Sequence, residues 1–250
     1  MKFNYHTHTT RCKHAQGTDR EYVEKAIEKG LKTLGFSDHA PLNYTHAPIH
    51  YMRMSASEID DYAKSVNDLK KEYAKDIRIL LGFELEYFPK THEKEMEFLR
   101  SVNPDYILLG QHYFESGKDW LYSGMIHGDA LLQRYISLVI EGMQTGDFLY
   151  VAHPDLPGWG FSPKTAEREY LRLCESAKSL NIPLEINLLG LESGRQYPDK
   201  RFWEIAGTVG NRAVLGVDAH EPKALLLPTE VRAKAFAKSY NIELIEEELI

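Results

Sequence analysis

Short apolar runs alternate along the chain with longer stretches in which apolar positions recur every three or four residues. The short runs are rich in β-branched and aromatic residues. They predict strands at Lys2–Tyr5, Thr33–Ser37, Ile77–Gly82, Tyr106–Gly110, Phe148–Ala152, Pro183–Asn187 and Ala213–Val217. The longer stretches predict helices. Thr18 followed by Glu21 reads as a capping box that opens a helix to Lys29, with Gly30 as its stop. Ser55 followed by Glu58 opens a second helix toward Lys75. Others are predicted near His92–Ser101, Asp129–Thr145, Pro163–Leu180, Lys200–Val209 and Pro228–Ser239, with Ser162-Pro163 as a cap and first-turn pair. The tail 242–250 alternates weakly and predicts no element.

Seven strands alternating with seven helices predict a parallel α/β arrangement. The polar residues that follow the strands narrow this further. His6/His8, His39, Glu84, His112, His153, Asn187 and Asp218/His220 each follow a different strand. Seven strand ends deliver side chains to one region when the sheet curls around a centre; an open sheet spreads them along an edge. The expectation is a closed or nearly closed barrel, built as a single domain over residues 1–250.

Composition excludes more than it identifies. Apolar residues make up 43% of the 250 positions, enough for a substantial core. The formal net charge is −7 and no long basic run exists, which argues against a nucleic-acid partner. Cys12 and Cys174 are the only cysteines, so no disulfide framework is implied and reduced thiols suit the cytoplasm. No secretory pattern precedes His6, and no apolar run approaches the ~18 residues of a membrane span. A soluble cytoplasmic protein with no membrane partner is expected. Oligomeric state is not legible.

The histidines carry the chemistry. His6-Thr7-His8 ends a strand-like run, and residues two apart on a strand share a face, so both imidazoles can reach one ion. Asp218-Ala219-His220 repeats the pattern near the far end. The candidate metal ligands are His6, His8, His14, His39, Glu84, His112, His153, Asp218 and His220. Imidazole and carboxylate together suit Zn, Mn or Fe(II), and the absence of a cysteine cluster argues against a purely structural zinc site. Nine ligands exceed the needs of one ion, so two or three are implied. Glu84 and Glu86 would point the same way from an extended segment, and the residues alone do not choose between them. Asp38 and Asp155 adjoin ligand histidines and are candidates for fixing imidazole tautomers. His46, His50, His92 and His127 read as surface or hydrogen-bonded residues, and Cys12 as a buried free thiol.

Taken together, His6-Thr7-His8-Thr9, Cys12-Lys13-His14, Ser37-Asp38-His39, Gly82-Phe83-Glu84, Gly110-Gln111-His112, Ala152-His153-Pro154-Asp155 and Val217-Asp218-Ala219-His220 resemble the PHP (polymerase and histidinol phosphatase) superfamily. Within it the chain is similar to the stand-alone histidinol-phosphate phosphatases. Gln111 departs from the usual smaller residue. The resemblance implies a distorted (β/α)7 TIM-like barrel and three divalent ions. One is held by His6, His8, Glu84 and Asp218. A second is held by His112, His153 and a bridging Glu84, which favours Glu84 over Glu86. The third takes His14, His39 and His220.

The implied reaction is hydrolysis of L-histidinol phosphate, a small-molecule ester, by metal-activated hydroxide. Asp218 would be a ligand that also takes a proton. Phosphate favours a guanidinium, whose planar fork matches two oxygens. Arg195, in the predicted loop Asn187–Pro198, resembles the family's phosphate-binding arginine. Arg53 lies in the segment Ala40–Met54, a candidate lid, and is a second candidate substrate contact. Two other enzymatic readings stand beside this one: a phosphoesterase for another small ester or nucleotide, and an amidohydrolase-like C–N hydrolase. No lysine directly follows a strand, which counts against the latter. An inactive metal-binding module is disfavoured by the complete ligand set.

Overall fold

The structure, a computed structural model, describes residues 1–47 and 49–250; Pro48, in the candidate lid, lies outside the described residues. In chain order the strands are β1 (Phe3–Asn4), β2 (Thr33–His39), β3 (Arg78–Leu85), β4 (Tyr106–Leu109), β5 (Tyr113–Ser116), β6 (Asp119–Tyr122), β7 (Leu184–Asn187), β8 (Arg212–Gly216) and β9 (Glu243–Leu244). The first four pair in parallel in sequence order, and β7, β8 and β9 form a second parallel group. The Phe148–Ala152 run, expected as a strand, joins the two groups through single bridges. Val151 bridges Leu109 on one side and Leu184 on the other. Leu149 N donates to Ile107 O at 2.8 Å, and Glu185 N to Val151 O at 2.9 Å. At the opposite margin Thr7 bridges Ala219, and His8 N donates to Ala219 O at 2.9 Å. The result is a mixed α/β fold around a curled parallel sheet.

The helices are α1 (Asp19–Lys29), α2 (Ile59–Glu72), α3 (His92–Arg100), α4 (Asp129–Thr145), α5 (Pro163–Ser179), α6 (Leu188–Ser193), α7 (Lys200–Val209) and α8 (Thr229–Ser239). The Thr18–Glu21 capping box is formed, and Gly30 closes α1 in the left-handed conformation. Ser162 caps α5 through the Thr165 amide. The Ser55–Glu58 box instead opens a short 3-10 turn, Ala56–Glu58, that runs into α2.

Four elements lie outside the sequence expectation. The antiparallel hairpin β5–β6 turns at Gly117-Lys118, with Gly117 at φ 67°. Its four-residue strands are too short for their periodicity to announce them. The segment taken as a loop after Asn187 holds α6, whose first turn Asn187 caps through the Gly190 amide at 2.9 Å. The strand β9 in the tail gains its partner only from β8.

One large apolar cluster packs helices against the sheet, and a smaller one holds Phe3, Tyr5, Leu80, Tyr106, Leu108, Tyr150, Ala152 and Val214. Tyr106 lies across β3 and β2 and donates its hydroxyl to Tyr5 O at 2.6 Å. It fits because Gly35 and Gly82 carry no side chain; a Cβ at either would overlap its ring. This smaller cluster is a floor, and polar side chains collect above it at the C-terminal strand ends. Among the described residues, no helix is long and apolar enough to cross a membrane.

Candidate metal centre

The parallel strands β1, β2 and β3 and the segments after β4, Ala152 and β8 all deliver their polar residues to one end of the sheet. His39 is the last residue of β2 and Glu84 lies inside β3, so both emerge from the ladder itself, not from the loops beyond it. Glu84 is 1% exposed and central. Its Oε2 lies 3.4 Å from His6 Nε2, 3.5 Å from His8 Nε2 and 3.1 Å from His39 Nδ1. Its Oε1 lies 2.9 Å from His153 Nε2 and 3.5 Å from His112 Nε2. Asp218 Oδ1 stands 3.1 Å from His8 Nε2 and 3.5 Å from His6 Nε2. His14 Nε2 and His220 Nε2 are 3.0 Å apart, and the His14 ring centroid is 5.4 Å from that of His39. All nine candidate ligands therefore gather in one cluster.

The cluster fits metal ions by its own chemistry. His6 Nε2, both ring nitrogens of His8, Glu84 Oε2 and one nitrogen each of His112 and His153 are buried without a hydrogen-bond partner among the described residues. Leaving so many buried donors and acceptors unpaired costs about 1–3 kcal/mol each unless an ion completes them. Several triplets present ligand atoms within 4.8 Å of one another, including His6, His8 and Glu84; His6, His153 and Asp218; and His8, His39 and His220.

Electrostatics divide the rings. Burial pushes His112 and His220 down to about 3 and His39 well below the usual histidine range, so these imidazoles stay neutral. Burial also opposes charge on His8, yet the neighbouring Asp218 and Asp38 carboxylates lift it to about 9. Burial disfavours an ionised Glu84 or Asp218 as well. The field of the surrounding imidazoles wins and holds both carboxyls well below their usual range.

The remaining expectations separate. Glu86 does not enter the cluster: burial raises its carboxyl, and both its oxygens accept from Arg53, at 2.7 and 3.1 Å. Arg53, expected in a lid against substrate, is 3% exposed and also donates to Ala40 O. Within the candidate lid, buried Glu95 accepts the amides of Asn43, Tyr44 and Thr45. Arg195 is exposed; its Nη1 donates to the Tyr197 hydroxyl at 2.7 Å, and the Tyr197 ring lies 5.9 Å from that of His153. Asp38 stands 3.5 Å from His8 Nδ1 without a hydrogen bond to it, and its oxygens accept instead from the Thr9 hydroxyl and the His39 amide. Asp155 does not adjoin a histidine ring; it accepts from Trp203 Nε1 and the Asp199 amide. His92 bonds Asp147 at 2.8 Å, and Cys12 and Cys174 are free and buried.

Sequence reasoning missed Glu185, which is fully buried beneath the cluster and bonds His6 Nδ1 at 2.8 Å. Its signal was an acid inside the apolar run Pro183-Leu184-Glu185-Ile186, a place where parallel strands are ordinarily apolar throughout. Also missed was Tyr197, which packs between Arg195 and His153.

The chain is similar to several named proteins. A relative from Deinococcus radiodurans named "Probable histidinol-phosphatase" is 28% identical over 226 residues, covering 87% of this chain and 85% of its own. The histidinol-phosphatase of Bacillus subtilis is 30% identical over 127 residues, 48% of this chain and 47% of its own. The histidinol phosphate phosphatase of Lactococcus lactis, solved with zinc, L-histidinol and phosphate, superposes with a TM-score of 0.75 at 18% identity, over 98% of this chain and 95% of that one. The PHP domain matches residues 4–188, and with that span and this cluster of His, Glu and Asp the chain belongs to the PHP domain family.

Proposed function

We propose that this protein is a metal-dependent phosphomonoesterase that hydrolyses L-histidinol phosphate to L-histidinol and phosphate. The observation that carries this reading is the convergence of seven histidines, Glu84 and Asp218, with five buried ring nitrogens and Glu84 Oε2 unpartnered among the described residues. The named relatives give the substrate. The reading assigns His6, His8, Glu84 and Asp218 to one ion, Glu84, His112 and His153 to a second, and His14, His39 and His220 to the third. It takes the frame to be a distorted (β/α)7 barrel over residues 1–250, supported by the Val151 and Thr7–Ala219 bridges that join the sheet's parts.

Divalent ions held by these residues would lower the pKa of water toward 7 and neutralise phosphoryl charge. The protein's own groups do the rest. Neutral His39, His112 and His220 keep their lone pairs available without competition from protons. Ionised Asp218 holds Oδ2 toward Asn187 at 3.1 Å, leaving Oδ1 beside His8 to accept a proton. Arg195 offers its guanidinium to the phosphoryl oxygens, steadied by Tyr197. Burial raises the Tyr197 hydroxyl, which stays protonated. The free buried thiols fit a reducing compartment, and the reading puts the enzyme in the cytoplasm with a small phosphate ester as partner.

Phosphate release from histidinol phosphate, set against other phosphomonoesters and nucleotides, tests the assignment. Histidinol phosphate should give the highest kcat/KM. Equal or better turnover of unrelated esters would remove it as the substrate.

A further inference from the structure

The strand β7 carries none of the nine candidate ligands, yet it touches three of them. Glu185 is fully buried and sits under the cluster. Its Oε1 faces His6 Nδ1 at 2.8 Å and accepts the Tyr150 hydroxyl at 3.2 Å. Its Oε2 accepts the His153 amide at 3.0 Å and Asn187 Nδ2 at 3.0 Å. Asn187 Nδ2 also donates to Asp218 Oδ2 at 3.1 Å, while Asn187 Oδ1 accepts the Gly190 amide at the start of α6. One carboxylate thus reaches His6 through its ring, His153 through its backbone and Asp218 through one relay.

Two of these three ligands have unusual backbones. His153 has φ 29° and Asp218 has φ 53°, both in the left-handed region that costs a non-glycine residue on the order of 1–3 kcal/mol. Such conformations persist only where the surroundings enforce them. The Glu185–His153 amide bond and the Asn187–Asp218 bond act at those two residues. Glu185 also selects a tautomer. A carboxylate only accepts, so His6 must donate from Nδ1, which leaves the Nε2 lone pair directed at Glu84 and Asp218. The neighbouring strand is cut to suit, since a Cβ at Gly216 would overlap Glu185 Oε1.

We propose that Glu185, relayed by Asn187, is a positioning residue that preassembles the centre by fixing the His6 tautomer and holding His153 and Asp218 in their left-handed backbones. This rests on the metal-centre reading above and adds to it a residue that is no ligand. The Glu185→Gln variant keeps the side chain's shape but replaces one accepting oxygen with a donor, so it cannot serve all four bonds. Zinc affinity, measured by chelator competition on protein whose metal-free fold is checked by circular dichroism, should fall about 10- to 100-fold. Wild-type affinity in folded Glu185→Gln protein would overturn the proposal. A second measurement needs no variant. In cadmium-loaded wild-type protein with 15N-labelled histidine, His6 should show cadmium coupling at Nε2 and a slowly exchanging proton at Nδ1. Coupling at Nδ1 would overturn the proposal even if Glu185→Gln does not fold. Loss of the functional reading looks different: it would appear as tight zinc binding without release of phosphate from histidinol phosphate.

Discussion

Arg53 grips Glu86 through both terminal guanidinium nitrogens, 2.7 and 3.1 Å from its two oxygens, and the pair is buried behind His112. A bidentate pair removed from water is costly to break, because the surviving charge has no solvent to replace its partner. Arg53→Met should therefore destabilise the protein by about 3–5 kcal/mol in urea unfolding. With the remaining folded protein, the KM for substrate should change less than twofold. A large KM change with unaltered stability would instead return Arg53 to the substrate pocket.

Arg195 should behave in the opposite way. It is exposed and carries a single bond to Tyr197, so little of the fold depends on it. Charge-assisted bonds to phosphate contribute about 1.5–3 kcal/mol, so Arg195→Ala should lower kcat/KM about 10- to 100-fold. Stability should be unaffected. Arg195→Lys should recover only part, because an ammonium does not reproduce the planar fork. Unchanged kinetics in Arg195→Ala would take the residue out of the site.

Asp218→Asn separates chemistry from folding. Asparagine tolerates the left-handed backbone at φ 53° and is close in size to aspartate, so the fold should survive. The charge and the proton-accepting oxygen are lost, and turnover should drop on the order of 100- to 10,000-fold. Near-normal activity would remove Asp218 from the mechanism.

Two rings of the metal-free centre, His6 and His8, should titrate above neutrality. Despite burial, Asp218 and Asp38 raise His8 to about 9, and the field of Glu185, Asp218 and Glu84 lifts His6 well above its ordinary value. A histidine raised in the folded state adds stability that is fully present below its unfolded value near 6.5. That stability is lost as pH rises through the folded value, here toward 9. Metal-free protein should thus lose stability between about pH 6.5 and 9. Ions must displace these protons, so zinc affinity should rise over the same range. Calorimetry at pH 7 in buffers of different ionisation enthalpy should detect proton release on zinc binding. Binding without proton release would contradict this electrostatic picture.

How much of this was legible in the sequence follows from what each signal depends on. The strand runs around β2, β3 and β8 and the caps at Thr18 and Ser162 are local, and they emerge where expected with small boundary shifts. The bridging of Val151 on two sides depends on neighbours distant in sequence, so periodicity alone made it a full strand. The hairpin β5–β6 was too short to show a period, and Asn187 hid α6 by ending a strand and capping a helix at once. Among site residues, the His-x-His and Asp-x-His pairs were readable because spacing of two fixes a shared face. Glu185 was not, since its role comes from contacts with His6, Tyr150 and His153. The preference for Glu84 over Glu86 came from resemblance. Its physical basis is Arg53, 33 residues away, which occupies Glu86.

The central claim, a centre of three ions built from nine side chains, is tested most directly by counting metal. Protein purified without chelators should contain close to three equivalents of zinc, manganese or iron per chain by mass spectrometry. Fewer than two equivalents in protein never stripped of metal would contradict it.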